Sequence, residues 1–163
     1  MTCLVRFRSD LIRLSKLADY GVVLMIFLAD HREQESWSAR ELSDEVRLPL
    51  PTVSKLLRKL AAARILSSRR GVRGGYRLAR GAEDISLADI LLAIEGPMAV
   101  TDCTADDGKR CEHEDGCSAR STWGQVNQRI LNSLREVKLA EMGGKLLLGM
   151  ARSNRNHGEE ARK

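Results

Sequence analysis

Two prolines, Pro49 and Pro51, interrupt a stretch of helical periodicity and restrict how the chain can fold. Proline cannot occupy the interior of a helix, because it lacks an N–H and its ring clashes with the preceding turn. The chain must therefore turn at this point, and Pro51 suits the first turn of a new helix. The sequence thus predicts two helices separated by a tight turn.

Both helices have further support in the sequence. Ser38 and Glu41 fit the S-x-x-E capping box, in which each side chain satisfies a free backbone N–H of the first turn. After the turn, a helix is expected over residues 51–63, and an earlier helix is expected over residues 14–29. The helix after the turn has an apolar face that should point to the core, made of Val53, Leu56, Leu57 and Leu60.

A hairpin rich in glycine and arginine follows these helices. Residues 65–68 and 76–79 have strand character and flank a Gly/Arg turn at 69–75. Ser86 then caps a short helix over residues 87–95. The order of helix, helix, tight turn, helix and basic hairpin predicts a mainly α fold, a winged helix-turn-helix domain.

Charge divides the chain into two unequal parts. Residues 1–80 hold 16 Lys and Arg against 8 Asp and Glu, whereas residues 81–163 hold 11 against 14. A basic half indicates a module that binds a polyanion such as DNA, although a solvated basic face is the alternative. Neither an apolar run of the ~20 residues needed for a membrane span nor a secretory leader is visible, so we expect a cytoplasmic protein.

Three of the four cysteines, Cys103, Cys111 and Cys117, are close together, with seven and five residues in the two gaps. Disulfides are not expected in a reducing cytoplasm, so this spacing favours a metal or cluster loop. Zinc prefers four ligands, often in C-x2-C pairs, and such pairs are absent. Thiolates are soft donors suited to an iron–sulfur cluster. A zinc site and a thiol redox switch are the alternatives.

A long amphipathic helix is expected from about Ser121. Its apolar stripe has steps of three and four residues: Trp123, Val126, Ile130, Leu134 and Val137. Such a stripe outside the first core needs a partner, and a symmetric homodimer supplies one. The alternative is that the helix packs back on its own domain.

The chain therefore divides into five predicted segments. They are an N-terminal extension (1–12), the winged helix-turn-helix domain (13–97), a cluster loop (98–120), a dimerisation helix with a short C-terminal helix (121–150) and a disordered tail (151–163).

The chain resembles the IscR/NsrR-type regulators, the iron–sulfur branch of the Rrf-type winged-helix family. The resemblance spans residues 13–142 and rests on RLSKLADYG, SARELSDEVRLPLPTVSKLLRKL, RRGVRGGYRLA, ISLADILLAIEGP, the three-cysteine loop and VKLAEM. The opening and the wing most resemble members that regulate SUF-type assembly genes. The resemblance implies a transcriptional regulator rather than an enzyme, with operator binding controlled by a 2Fe–2S or 4Fe–4S cluster.

This resemblance also implies which residues would contact a double-stranded DNA operator. The helix after the turn would enter the major groove with its N-terminal end first. The expected contacts from this helix are Thr52, Ser54, Lys55, Arg58 and Lys59. The expected contacts from the wing are Arg69, Arg70 and Arg73. Some members carry a glutamate at the position of Ser54 that discriminates between operators, so the operator itself cannot be transferred.

Three cysteines require a fourth ligand of another kind. Some relatives place a histidine three residues after the third cysteine, where this chain has Arg120. Others use an aspartate on the first helix of the opposite subunit, which corresponds here to Asp19. A carboxylate on this otherwise apolar helix would be costly to bury without a partner, which favours Asp19. His113 and Cys3 are the alternatives.

Other functions remain open at this point. The same fold is compatible with a nitric-oxide or redox-sensing repressor, and with a zinc-stabilised DNA-binding module. An iron–sulfur carrier is disfavoured, because a carrier needs neither a helix-turn-helix nor a basic wing.

Overall fold

The computed structural model describes residues 14–69, 71, 74–101 and 117–143. Within these ranges the order of elements is α1 (Lys16–Asp30), α2 (Ala39–Glu45), α3 (Leu50–Ala62), β1 (Leu66–Arg69), β2 (Gly75–Leu78), a 3-10 turn (Ala82–Asp84), α4 (Leu87–Glu95) and α5 (Arg120–Glu136). This mainly helical arrangement with one small antiparallel sheet confirms the predicted winged helix-turn-helix fold. None of the helices in these ranges has the length and apolar character needed to cross a bilayer.

Serines start three of the helices, because a hydroxyl can accept a hydrogen bond from an otherwise unpaired N–H of the first turn. Ser15 accepts from Ala18 N at the start of α1, at 3.1 Å. Ser38 and Glu41 form the predicted capping box at α2, with bonds of 3.2 and 2.7 Å. Ser86 begins α4 in the same way.

The core lies where α1, α3 and α4 meet. Its fully buried side chains come mainly from these helices: Leu24, Met25, Leu56, Leu57, Leu60, Ile90, Leu91 and Ile94. Gly21 lets α1 and α4 approach closely, because a Cβ there would lie 2.0 Å from Ile94 Cδ1. The first core is therefore formed by α1, α3 and α4 in contact with one another.

α5 differs from the other long helices, since none of its residues is buried. The chain returns to the first core after α5: Leu139 is fully buried and its N–H donates to Ile85 O at 2.8 Å. Val137, expected as the last member of the apolar stripe, lies beyond the helix as its extended C-cap residue. Part of the segment predicted as a dimerisation module thus packs into the core of the winged domain.

Gly21→Ala should destabilise the fold by about 1–3 kcal/mol, because the added methyl would overpack the contact with Ile94. Ile94→Val removes the colliding methyl, so the double variant should lose less stability than the sum of the two single losses. Urea unfolding of the four proteins measures these differences.

Gly124→Ala on α5 is the control, because a Cβ there meets no atom of the described chain within 4 Å. Strictly additive losses for Gly21→Ala and Ile94→Val would show that this contact does not limit the approach of α1 to α4.

Candidate nucleic-acid interface

The turn between α2 and α3 is closed by its own polar groups. The hydroxyl of Ser43 donates to Leu48 O at 2.6 Å, and Leu48 N donates to Ser43 O at 3.1 Å. Arg47 has a φ of 53°, which turns the chain out of α2. These bonds fix α3 relative to α2, as a helix-turn-helix requires.

α3 begins at Leu50, one residue before the predicted start. No side chain caps its N-terminus, and its first turn holds no acidic residue. The partial positive charge of a helix N-terminus attracts phosphate, and the first turn of α3 carries no carboxylate that would oppose it. Lys55 and Arg58 are exposed and Thr52 and Ser54 half-buried, so all four predicted residues have accessible surface.

Lys59 does not occupy the exposed position that its predicted role as a DNA contact requires. Its ammonium group donates to Ile94 O at the end of α4, with a distance of 2.6 Å. The side chain is partly buried against α4 instead of extending into solvent. Lys59 therefore does not share the exposed surface of α3 with Lys55 and Arg58.

The hairpin formed by β1 and β2 is joined by a third extended segment. Trp37 and Tyr76 exchange two backbone hydrogen bonds, of 2.9 and 2.8 Å. A Cβ on Gly75 would lie 2.7 Å from Trp37 O, so this close approach requires glycine. The wing is thereby held to the segment that connects α1 to α2.

Arg69 is the one predicted wing arginine within the described residues, since Arg70 and Arg73 lie outside them. Its guanidinium lies 3.3 Å from Glu35, and both side chains are almost four-fifths exposed. Arg77 also contributes a cation to this surface, with its Nε donating to Ser67 Oγ at 3.3 Å. Arg77 was not predicted, although its outward position in the alternating strand GYRL was a usable signal.

Of the predicted cluster ligands, only Cys117 and Asp19 fall within the described residues. Cys117 is a free thiol of intermediate exposure, three residues before α5 begins. Cys103 and Cys111 lie outside the described residues, as do the alternative ligands His113 and Cys3.

Asp19 is exposed on α1, which corrects the expectation that its carboxylate would be buried. The apolar residues of α1 turn towards α3 and α4, and Asp19 occupies the opposite, solvent side. Because the carboxylate is exposed in the single chain, burial gives no reason to assign Asp19 a ligand role. The prediction that Asp19 is a ligand then depends on the resemblance to members with a ligating aspartate.

These elements define a winged helix-turn-helix transcriptional regulator. A model of the Rrf2 family, described as an iron-dependent transcriptional regulator, matches residues 14–145. The chain therefore belongs to the Rrf2 family, which confirms the predicted membership of the Rrf-type winged-helix family and the expectation of a regulator that is not an enzyme. The closer resemblance to members that regulate SUF-type assembly genes stays a prediction.

Individual relatives support this membership. The chain is 31% identical over 130 residues to a Synechocystis sp. protein described as an HTH-type transcriptional regulator, covering 80% of this chain and 86% of that protein. It is 27% identical to the protein rrf2 of Nitratidesulfovibrio vulgaris over the same shares. The solved structure of T. potens IscR has a TM-score of 0.59 and 27% identity, covering 80% of this chain and 85% of that one.

Glu35→Gln should strengthen DNA binding, because it releases the exposed Arg69 guanidinium for a phosphate. Each added phosphate contact should steepen the slope of log affinity against log salt by about 0.9. Arg69→Ala should weaken DNA binding and make the dependence of log affinity on log salt shallower. Fluorescence anisotropy with duplex DNA at several salt concentrations measures them.

Glu33→Gln is the matched control, since it removes the same charge from an exposed position two residues away. Equal gains in the two glutamine variants would mean that net charge, and not release of Arg69, explains the result.

The Glu41 carboxylate should make the stability of the fold depend on pH. Hydrogen bonds from the Ser38 backbone and hydroxyl lower its pKa below the usual glutamate value. A lowered folded-state pKa stabilises the protein above the unfolded value of about 4.3, and this stability is lost as pH falls through the folded value. Glu41→Gln should therefore lose less stability on acidification than the wild type.

Urea unfolding at neutral pH and at several pH values between about 5 and 3 makes this comparison. Ser38→Ala, which removes the hydroxyl partner, should also weaken the pH dependence. Identical acid dependence in all three proteins would exclude the capping box as its source.

Proposed function

We propose that this protein is a transcriptional regulator whose operator binding is controlled by an iron–sulfur cluster. The observation that carries the proposal is the position of the cysteine-bearing segment, which leaves the end of α4 and re-enters the described chain at Cys117, before α5. α4 packs against α3, so the segment is connected to the proposed DNA-reading helix through a single element. The family description as iron-dependent regulators supports the same proposal.

The proposed DNA-contacting residues come from α3 and the wing. Thr52, Ser54 and Lys55 lie in the first half of α3, within reach of base edges or phosphates, and Arg58 is placed for a phosphate. Arg69, Arg70 and Arg73 are proposed for the wing, and Arg77 joins them on the evidence of its exposed position in β2. Lys59 is left out because its ammonium group has a partner inside the protein.

Cys103, Cys111 and Cys117 would hold the cluster, with Asp19 of the opposite subunit as the proposed fourth ligand. Their chemistry fits, since thiolates are soft donors and the free Cys117 thiol is accessible from solvent. When bound, the cluster would supply a group sensitive to iron supply and oxidants. We propose a cytoplasmic protein that regulates iron–sulfur assembly genes; the cluster is 2Fe–2S or 4Fe–4S.

The exposed apolar residues of α5 support a homodimer. Trp123 is 40% exposed, and Val126 and Ile130 are half-buried along the same side of the helix, whereas Leu134 packs partly against the core of the winged domain. A cavity of about 640 Å³ lies beside this stripe, between α5, the start of α1 and the residues after α4. A second copy of α5 would cover this surface and place two recognition helices on one palindromic site.

Asp19→Ala should leave a folded dimer that loses its cluster faster than the wild type, because a carboxylate is a weaker iron ligand than a thiolate. The measurements are the visible spectrum, iron and sulfide content after anaerobic purification, and the affinity of loaded and cluster-free protein for duplex operator DNA. His113→Ala and Cys3→Ala are the matched comparisons.

A His113→Ala protein that loses the cluster while Asp19→Ala keeps it would make His113 the ligand. A colourless wild-type protein that contains zinc, or no metal, and still binds DNA would contradict cluster control.

Ile130→Asp should convert the dimer to a monomer, because it places a charge on the apolar side of α5. Asn132→Asp adds the same charge at an exposed position on the other side of the helix and should leave the dimer intact. Sedimentation at micromolar concentration gives the oligomeric state. A monomeric wild type would contradict the homodimer.

A further inference from the structure

Lys59 occupies an unusual position for a lysine near the end of a DNA-reading helix. It lies in the last turn of α3, and its ammonium donates a 2.6 Å hydrogen bond to Ile94 O, 35 residues further along the chain. Ile94 precedes Glu95, the last residue of α4. The last carbonyls of a helix lack partners within it and carry partial negative charge, so a cation stabilises this end.

The same end of α4 is also held by α1. The Ser15 hydroxyl donates a hydrogen bond to the Glu95 carboxylate, while it caps the first turn of α1. The side chain of Ile94 lies in the narrow contact beside Gly21. The C-terminus of α4 is therefore fixed from two sides, by α3 through Lys59 and by α1 through Ser15 and Gly21.

The chain leaves this junction towards the cysteines. Gly96 has a φ of 89°, and Pro97 follows it, so the direction of exit from α4 is set within two residues. Cys103 is seven positions after Gly96. A change in the cysteine segment that pulls on the chain would reach the end of α4 on its N-terminal side, and α5 on its C-terminal side, where Cys117 lies three residues before the helix.

We infer that Lys59 is a positioning residue that couples the end of α4 to the recognition helix. Its bond to Ile94 makes the placement of α3 depend on the position of the chain leaving α4. The inference rests on the proposed function for its regulatory meaning, since it supplies the connection from the cysteine segment to α3. It assigns Lys59 a role distinct from the phosphate contact that its position on α3 suggested.

A double-mutant cycle tests this coupling without any cluster. Gly96→Ala disturbs the junction, because a positive φ is strained for alanine. In an otherwise wild-type protein it should weaken operator binding about fivefold or more. In a Lys59→Met background, which keeps the aliphatic stem but removes the donor, the same change should have almost no further effect.

Two control backgrounds make the cycle specific. Lys59→Arg retains a cationic donor and should retain the effect of Gly96→Ala. Lys55→Met removes an exposed lysine from the same helix and should also retain it, while lowering the salt slope of binding. Thermal unfolding of every variant identifies any that are not folded at the assay temperature.

The inference is overturned if Gly96→Ala leaves operator affinity unchanged, or if its effect is undiminished in Lys59→Met. It is also overturned if Lys59→Met lowers the salt slope as Lys55→Met does, since Lys59 would then be a phosphate contact.

A second arm separates this inference from the proposed function. The ratio of operator affinities of cluster-loaded and cluster-free protein should differ from one in the wild type and in Lys59→Arg, and should approach one in Lys59→Met. A wild-type ratio of one would contradict cluster control, while the cycle would still decide the role of Lys59. If the wild type responds to the cluster and Lys59→Met gives the same ratio of affinities, the inference is overturned.

Discussion

The packing of α4 against α1 and α3 is the contact on which the other parts of the structure depend. Ile90, Leu91 and Ile94 are buried on this helix, and the absence of a side chain at Gly21 lets α1 come close enough to enclose them. Interiors are packed as densely as organic crystals, so helices in such contact cannot shift independently. α4 thus joins the helix that would read DNA to the parts of the chain that follow it.

The surface proposed for DNA follows from this core. Because the leucines of α3 are buried against α1 and α4, the polar side chains at Lys55 and Arg58 must face solvent. The wing is attached separately, through backbone hydrogen bonds between Tyr76 and Trp37. The Trp37 ring in turn makes an edge contact with Phe27 of α1. Recognition helix and wing are consequently held by the same body, as simultaneous contact with a duplex requires.

α5 packs against α4, and the chain segments before and after α5 join that body near the two ends of α4. At one end, Gly96 and Pro97 lead towards the cysteines. At the other, Leu87 N donates to Val137 O and Leu139 enters the core, so the chain after α5 is tied back to the start of α4. In the proposed homodimer, a helix anchored in this way, yet without one buried residue of its own, would connect the partner subunit to the winged domain.

The sequence by itself determined the local elements. A capping box acts across three residues, and proline restricts its own backbone, so the starts of α2 and α4 and the turn before α3 could be identified without knowledge of the fold. The four inward positions of α3, including Val53 and Leu60, followed from helical periodicity and are fully buried. The order of elements, together with the resemblance, was sufficient for the family.

Tertiary structure decided which polar groups are available. Lys59 and Arg58 are adjacent in sequence and both polar, but only Lys59 meets a carbonyl from a helix 35 residues away. Asp19 proved exposed and Arg69 paired with Glu35 for the same reason. Periodicity gives the direction of a side chain from its own helix, whereas its partner depends on what the rest of the chain brings to that side, which no local pattern contains.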